Sequence, residues 1–412
     1  MRLRALQRAR SRVLSSCCAL VLLGGVRLAD AQVAPNEAWR TLRTEHFRVE
    51  FPVHLESLAR RAGGEAERAW IRLSAELTPP RTPVDLVLSD NQDMSNGQAT
   101  YFPTNRIVIW AHPPIDDSAL RFGDDWLQQV VTHELAHVFH LDRTRGWWRV
   151  AQAIFGRQPS LFPNDRAPRW LKEGIAVAYE SQLGSGGRLN GSDLFATLDA
   201  VAASGRRASV DRMSLATPYW PAGDLAYFAG ARLVAESERA GGDRSMRRFV
   251  ESVASFPIPF LWDRQATRAF GSSFGALARR AHPASIAGSA VTLAAVAGPF
   301  WDARAPRWSG DSIFFTASAP RELPGLYVVQ SAAEKRVERV SRRNNTGAFG
   351  FTHGQVVYAQ LDFTDPYRLL SSLYIGDRHI KGTERLASPD ARADGAIVAV
   401  QTSDGCARLV LL

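Results

Sequence analysis

Cysteine is nearly absent from this chain, which has three among 412 residues. Cys17 and Cys18 lie in an N-terminal segment with the features of a removable signal, which leaves Cys406 alone, and one cysteine cannot form an internal disulfide. A second long apolar run is also absent, because Ala284 to Gly298 is too short and too rich in small residues to span a membrane. The mature fold must therefore depend on its packed core and on any metal that it binds.

Features of nucleic-acid binding are missing as well. The formal net charge is +9, but residues 1–31 hold six arginines and one aspartate, supply +5 of that charge and leave +4 for the rest. No basic stripe interleaved with aromatic residues stands out in the remaining sequence. We therefore predict no nucleic-acid partner.

The first 31 residues have the layout of a secretory signal peptide. Five of the first twelve residues are arginine, Val13 to Val26 is apolar, and Ala29-Asp30-Ala31 fits a small-x-small cleavage site before Gln32. An uncleaved anchor is the alternative, but the apolar run is shorter than the roughly 20 residues that a comfortable span needs. The prediction is an exported chain, periplasmic or secreted, with no membrane span after cleavage.

The sequence His133-Glu134-Leu135-Ala136-His137 is an H-E-x-x-H pattern. Two histidines four apart on a helix share one face, so both imidazoles can bind one ion, and Glu134 can take a proton from a water on that ion. The pattern is short and also occurs by chance. Its neighbours favour a buried helix, where a histidine pair needs partners. They form two stripes at helical spacing: Trp126, Val130, His133, His137 and His140, and Leu127, Val131, Leu135 and Val138. We interpret the pattern as a zinc site.

A catalytic zinc needs a third protein ligand, and Glu173 is the best candidate. It lies in the stretch Pro168 to Tyr179, whose apolar residues repeat at helical spacing and predict a second buried helix. A buried glutamate is costly unless it is paired or coordinated, although an ordinary exposed helix glutamate is the alternative. Gly174 weakens this helix, so we expect it to permit close contact with a neighbouring helix.

Together, HELAH and Trp170-Leu171-Lys172-Glu173-Gly174 resemble the gluzincin clan of zinc metallopeptidases. Within that clan the chain is most similar to the bacterial peptidase MA-like group, which often carries a C-terminal TolB-like β-propeller. The resemblance covers roughly residues 39 to 280 for the peptidase part. It implies one catalytic Zn²⁺ held by His133, His137 and Glu173, with Glu134 as the general base. The implied fold is an α+β zincin-like domain, with a small twisted sheet followed by helices.

The resemblance also implies an oxyanion-stabilising residue. Tyr227 fits the Y-x-x-G pattern of the family best, with Tyr219 and Tyr179 as rivals, and a core aromatic is the plainer alternative. In thermolysin-like enzymes an aspartate four residues after the glutamate ligand supports a ligand from behind; that position is Val177 here, so this support is absent or comes from elsewhere. His140 does not fit a three-histidine pattern, and Asp142 either orients a ligand histidine or is a helix-end surface aspartate.

Residues 32–283 are predicted to form the metallopeptidase domain, 284–299 a linker and 300–412 a repeat domain. Strands are expected at Phe47–Phe51, Val84–Leu88 and Arg106–Trp110, a turn at Asn96-Gly97, and helices at Leu55–Leu77, Phe195–Ala203, Asp224–Ala240 and Arg244–Val253. The stretch Gln98–Tyr101 is a candidate substrate-lining edge strand or a plain hairpin loop. The apolar run Val150–Gly156 is either a flap over the cleft or a small packing helix.

The last 110 residues contain a weak repeat. Ile313–Thr316, Val356–Ala359 and Ile397–Val400 recur at intervals of 43 and 41 residues, and each is followed by a second short strand. This period suits four-stranded propeller blades and resembles the TolB-like repeat. Only about two and a half units are present, whereas a closed propeller needs at least four. We therefore expect an all-β, propeller-like and incomplete segment.

Three functions are compatible with these features. The first is an exported zinc peptidase that cleaves a peptide or protein substrate. The second is a non-catalytic periplasmic binding or scaffold protein that recruits a protein partner through the repeats. The third is a zinc hydrolase of non-peptide amides or esters, which uses the same water chemistry. The intact Glu134 favours an enzyme, because a structural zinc site has no need of a general base.

Overall fold

The structure is a computed structural model that describes residues 37–115, 123–204, 209–215, 221–258, 260–281, 295–300, 302–318, 323–330, 336–340 and 347–412. The signal peptide predicted at 1–31 and most of the linker predicted at 284–299 lie outside these ranges. Asn36–Leu412 form one compact unit. None of the helices in the described ranges is long and apolar enough to cross a membrane.

A five-stranded mixed sheet begins the fold. Its strands are β1 (Trp39–Arg43), β2 (Phe47–Pro52), β3 (Val84–Ser89), β4 (Gly97–Thr100) and β5 (Arg106–Trp110). Their order is β1-β2-β3-β5-β4, with β2, β3 and β5 parallel and the two edge strands antiparallel. Alternating side chains such as Val49, Leu86 and Ile107 are fully buried against the helices. The predicted strands are present, but Gly97 begins β4 rather than forming the predicted turn.

Nine α-helices in the described ranges complete the N-terminal part. They are α1 (Glu56–Glu76), α2 (Trp126–Leu141), α3 (Gly146–Phe155), α4 (Arg169–Leu183), α5 (Ser192–Ala203), α6 (Leu225–Gly241), α7 (Ser245–Ser255), α8 (Trp262–Phe270) and α9 (Phe274–Ala281). The H-E-x-x-H helix α2 is capped by Asp125, whose carboxylate accepts the backbone N–H groups of Leu127 and Gln128. Almost all of α2 is buried, as its two apolar stripes predict.

Two glycines allow α4 and α6 to touch at their backbones. A Cβ on Gly230 would lie 2.2 Å from the carbonyl oxygen of Trp170, and one on Gly174 would lie 2.5 Å from the carbonyl carbon of Gly230. These atoms are backbone and cannot move aside independently. The close contact expected at Gly174 is confirmed, and it places Glu173 of α4 beside the start of α6.

We expect Gly230→Ala to lower the free energy of unfolding by about 2–3 kcal/mol, because an added methyl would force the two helices apart. The matched control is Gly275→Ala in α9, where an added Cβ has no atom within 4 Å. That change should be neutral or stabilise by up to about 1 kcal/mol, since alanine is the better helix former. Urea unfolding of both variants measures the difference, and equal effects would refute the close-contact explanation.

The C-terminal part consists of three antiparallel sheets in chain order. The first contains β6 (Asp302–Ser309), β7 (Ser312–Ser318), β8 (Gly325–Val329) and β9 (Val337–Arg339). The second contains β10 (Phe349–Thr352), β11 (Gln355–Asp365), β12 (Arg368–Ile375) and β13 (Arg378–His379). The third contains β14 (Leu386–Ala391), β15 (Ile397–Ser403) and β16 (Cys406–Leu411). Among the described residues no sheet closes on itself, so a propeller is not shown.

The predicted repeat matches this arrangement strand for strand. The three recurring segments lie in β7, β11 and β15, the second strand of each sheet, and their predicted partners lie in β8, β12 and β16, the third strand. Each unit is therefore one antiparallel sheet, and the third unit has three strands where the others have four.

A buried ionic cluster ties the second and third repeat sheets to the N-terminal part. Arg385 pairs with Asp93 at 2.9 Å and with Asp90 at 3.0 Å. The side chain of Asp93 is fully buried and also accepts the backbone N–H of Ser371 at 2.8 Å. Removing one partner would leave an uncompensated buried charge, which is strongly destabilising. The repeats are thus anchored to the sheet that precedes α2.

Candidate metal centre

Helices α2 and α4 bring the three predicted zinc ligands together. Nε2 of His137 lies 3.4 Å and Nε2 of His133 lies 3.7 Å from Oε2 of Glu173. The three donor atoms all lie within 4.8 Å of one another and could hold one metal ion. Donors bonded at about 2.0–2.1 Å in tetrahedral geometry are separated by about 3.3–3.4 Å, close to the distances found here. Two imidazoles and one carboxylate fit a catalytic zinc, which keeps a fourth position open.

The orientation of His133 is fixed by a residue that the sequence reasoning missed. Nδ1 of His133 lies 2.8 Å from Oε2 of Glu180, so this carboxylate accepts the Nδ1 proton and leaves Nε2 directed at the ligand cluster. Val177, where the thermolysin-like aspartate would fall, is a fully buried core residue. The carboxylate instead comes one turn later. Glu180 lies seven residues after Glu173, two turns along the same helix face, and this spacing could have indicated its role from the sequence.

Glu180 is itself held by Arg188, which follows α4. Nη2 of Arg188 donates to Oε2 of Glu180 at 2.7 Å, and Nε donates to Oε1 at 2.8 Å. The backbone N–H of Arg188 adds a third bond to Oε1 at 3.1 Å. Both side chains are buried, and this fork satisfies the carboxylate that orients His133. Burial alone would raise the pKa of Glu180, but Arg188 and His133 hold it below the ordinary value.

Electrostatics favour a charged cluster when no metal is bound. Burial and Arg188 both act to lower the pKa of His133, but Glu173 and Glu180 outweigh them and raise it to about 9. Burial likewise acts to raise the pKa of Glu173, whereas both histidines hold it below its ordinary value. A cation at this position would therefore replace the proton of His133 and keep both carboxylates ionised.

Glu134 lies beside the ligands and against the edge strand. Its side chain is buried, and burial raises its pKa even though His133 and His137 act in the opposite direction. A raised pKa suits a general base at neutral pH. A Cβ on Gly97 would lie 2.8 Å from both Cγ and Oε1 of Glu134. Glycine at the start of β4 therefore leaves the space that this carboxylate occupies.

The three candidate oxyanion tyrosines have different positions. Tyr227 lies in the first turn of α6 and lines the cleft, and its ring is 6.5 Å from that of His133. The guanidinium groups of Arg169 and Arg188 lie over the Tyr227 ring, with their Cζ atoms 5.4 and 5.1 Å from the ring centroid. Tyr179 is buried, and its hydroxyl donates to Glu238 at 3.1 Å. Tyr219 lies outside the described residues.

His140 and Asp142, the two other polar residues near the motif, do not hold the candidate metal in this structure. His140 is fully buried, and burial, together with the positive charges of His137 and Lys172, lowers its pKa to about 3, so it is neutral. It does not belong to the donor cluster found among the described residues. Asp142 follows the last residue of α2 and accepts a bond from Arg157 at 2.8 Å, so it lies at the helix end as expected, but its side chain is only 10% exposed and is not on the surface.

A cleft of about 810 Å³ opens over the donor cluster. One wall is β4 with Tyr101, as predicted for a substrate-lining edge, and α2, α4 and α6 supply the rest. Arg304 of β6 also lines this cleft, so the first repeat sheet reaches the site. No residue of α3 lines it, and the run Val150–Gly156 is therefore not a flap in this structure.

No family model and no curated protein matches the chain. Among solved structures it is similar to a mutant M1 zinc metallopeptidase from Deinococcus radiodurans, with 16% identity and a TM-score of 0.32 over 61% of this chain and 53% of that one. It is also similar to aminopeptidase A from Legionella pneumophila in complex with aspartic acid, with 13% identity and a TM-score of 0.35 over 84% of this chain and 35% of that one. The chain thus spans about half of the length of the Deinococcus protein and about a third of the length of the Legionella protein. At these TM-scores the assignment of the site rests on its own geometry.

Proposed function

We propose that this chain is an exported zinc-dependent peptidase whose ligands are His133, His137 and Glu173. The observation that carries the proposal is the convergence of these donors with Glu134 beside them, inside one open cleft. A metal held only for structure would need neither a buried glutamate next to it nor a cleft above it. Export rests on the predicted signal peptide.

Zinc, when bound, would polarise the scissile carbonyl and lower the pKa of an attacking water toward about 7. Glu134 takes the proton of that water as it attacks, and then delivers it to the leaving amine. Burial raises the pKa of Glu134 and so brings it closer to neutral pH, where one carboxyl can both accept and deliver a proton. The hydroxyl of Tyr227 donates to the developing oxyanion from the opposite wall.

Substrate binding follows from the position of β4. Among the residues that the structure describes, it is an edge strand paired only with β5, and it lines the cleft along its length. An extended peptide can add to the open edge through backbone hydrogen bonds, which places a peptide bond over the donor cluster. The cleft contains charges of both signs, including Asp165, Lys172 and Arg188, as suits a polar substrate chain. In this proposal the repeats form an incomplete propeller-like segment, and Arg304 shapes one end of the cleft.

The test is hydrolysis of a broad peptide library by residues 32–412, before and after removal of metal with a chelator. We expect cleavage products that disappear on chelation and return when about one equivalent of Zn²⁺ is added. His137→Ala is the matched variant, because it removes a donor and should not recover on adding zinc. A chain that holds zinc but cleaves no peptide would shift the assignment to the binding protein or the non-peptide hydrolase.

A further inference from the structure

Helix α3 turns its apolar face toward solvent. Trp147, Val150 and Ile154 are spaced i, i+3 and i+7 and therefore share one face of the helix. Their exposed fractions are 69%, 50% and 67%. Phe155, at the end of the helix, is exposed to the same degree. Such a row of large apolar side chains marks an interaction surface rather than an ordinary solvated helix.

The opposite face of α3 fixes this orientation. Ala151 is buried, and Nε1 of Trp148 donates to the backbone oxygen of Phe256 at 2.7 Å. Nε2 of Gln152 donates to the backbone oxygen of Leu161 at 3.1 Å. Helix α3 is thus held against the rest of the N-terminal part through Trp148, Ala151 and Gln152. These contacts fix the exposed apolar row on the opposite face.

Arginines outnumber carboxylates around α3. Four arginines and no acidic residue occur between positions 143 and 163. Glu251 pairs with both Arg143 and Arg145, and Asp142 pairs with Arg157. Arg149 is exposed and forms no ion pair with the residues that the structure describes. Burial lowers the pKa of the neighbouring Arg81, and the positive charges of Arg149 and Arg143 act in the same direction, against smaller opposing effects of Asp142 and Glu251. These five arginines, set against the two carboxylates, leave an excess of positive charge around α3.

We propose that α3 lies flat on an anionic membrane surface, with Trp147, Val150 and Ile154 inserted below the lipid headgroups. Tryptophan and aliphatic residues on one face, bordered by arginine, are the composition of interfacial helices, and lipid phosphates complement the surrounding charge. The proposal is independent of the metal site, because no residue of α3 lines the cleft.

The first measurement is co-sedimentation of residues 32–412 with vesicles, so that the apolar signal segment does not contribute. We expect binding to vesicles that contain phosphatidylglycerol, at least about tenfold tighter than to phosphatidylcholine alone. Binding should weaken as salt is raised, because exposed charges are screened. Absence of binding to the anionic vesicles would overturn the proposal.

A pair of matched variants locates the surface. Ile154→Asp should weaken vesicle binding by at least about tenfold, because a charge is placed among the inserted side chains. Ile71→Asp is the control, since Ile71 of α1 is exposed by 68%, almost the same as Ile154 at 67%. Equal effects of the two changes would contradict the proposal. If the chain instead dimerises in sedimentation velocity, and Ile154→Asp abolishes both dimer and vesicle binding, the face is a self-association surface and the lipid proposal fails.

Discussion

Glu134→Gln is expected to lower kcat for peptide hydrolysis by about 10³-fold while zinc stays bound. Glutamine keeps the shape of the side chain in the space left by Gly97, but it cannot take a proton from the attacking water. A loss of 10³ corresponds to about 4 kcal/mol of transition-state stabilisation. Glu134 is not a donor in the cluster, so metal content should not change. Single-turnover kinetics and metal analysis of the same preparation measure both quantities.

The control for this change is Glu238→Gln. Glu238 is another glutamate with a burial-raised pKa, hydrogen-bonded to Tyr179 and Gln182, and it does not line the cleft. It should alter stability but leave kcat within about twofold of wild type. If Glu134→Gln kept more than a tenth of wild-type kcat, Glu134 would not be the general base.

Glu180→Gln is expected to have the second largest effect, on both stability and metal affinity. It leaves the buried guanidinium of Arg188 without its counter-charge, which should cost about 3–5 kcal/mol of unfolding free energy. It also weakens the bond that fixes the tautomer and ring orientation of His133, so zinc affinity should fall by about 10–100-fold. Urea unfolding and competition with a zinc chelator measure the two effects separately.

The double change Glu180→Gln with Arg188→Met distinguishes these roles. Removing both charges should recover most of the lost stability, because no uncompensated charge remains in the interior. Zinc affinity should stay low, because the negative charge that supports His133 is still missing. If the double variant, or Glu180→Gln alone, bound zinc as tightly as wild type, the pair would be structural and would not support the ligand.

The donor cluster is the part of the site that sequence predicts most fully. The spacing of His133 and His137 fixes a shared helix face, and the burial pattern around Glu173 requires a partner for its charge. Gly174 could be assigned to a close helix contact because few other roles suit a glycine inside a buried helix. These predictions depend on local periodicity, which a single sequence contains.

The remaining features depend on tertiary packing. Glu180 and Arg188 have no recognisable pattern, because their partnership depends on how the chain returns to α2 after α4 ends. Gly97 was interpreted as a turn, although pairing with β5 and contact with Glu134 make it the start of a strand. The amphipathic pattern of α3 is equally compatible with a face packed on the core and with a face exposed to solvent, so sequence alone could not show its exposure.

The most direct test of the central claim is the metal content of purified residues 32–412, measured by mass spectrometry beside Glu173→Ala. The account predicts about one zinc per wild-type chain and almost none in the variant, because two histidines alone hold zinc weakly. A folded wild-type chain that binds no zinc when the metal is supplied in excess would contradict the account.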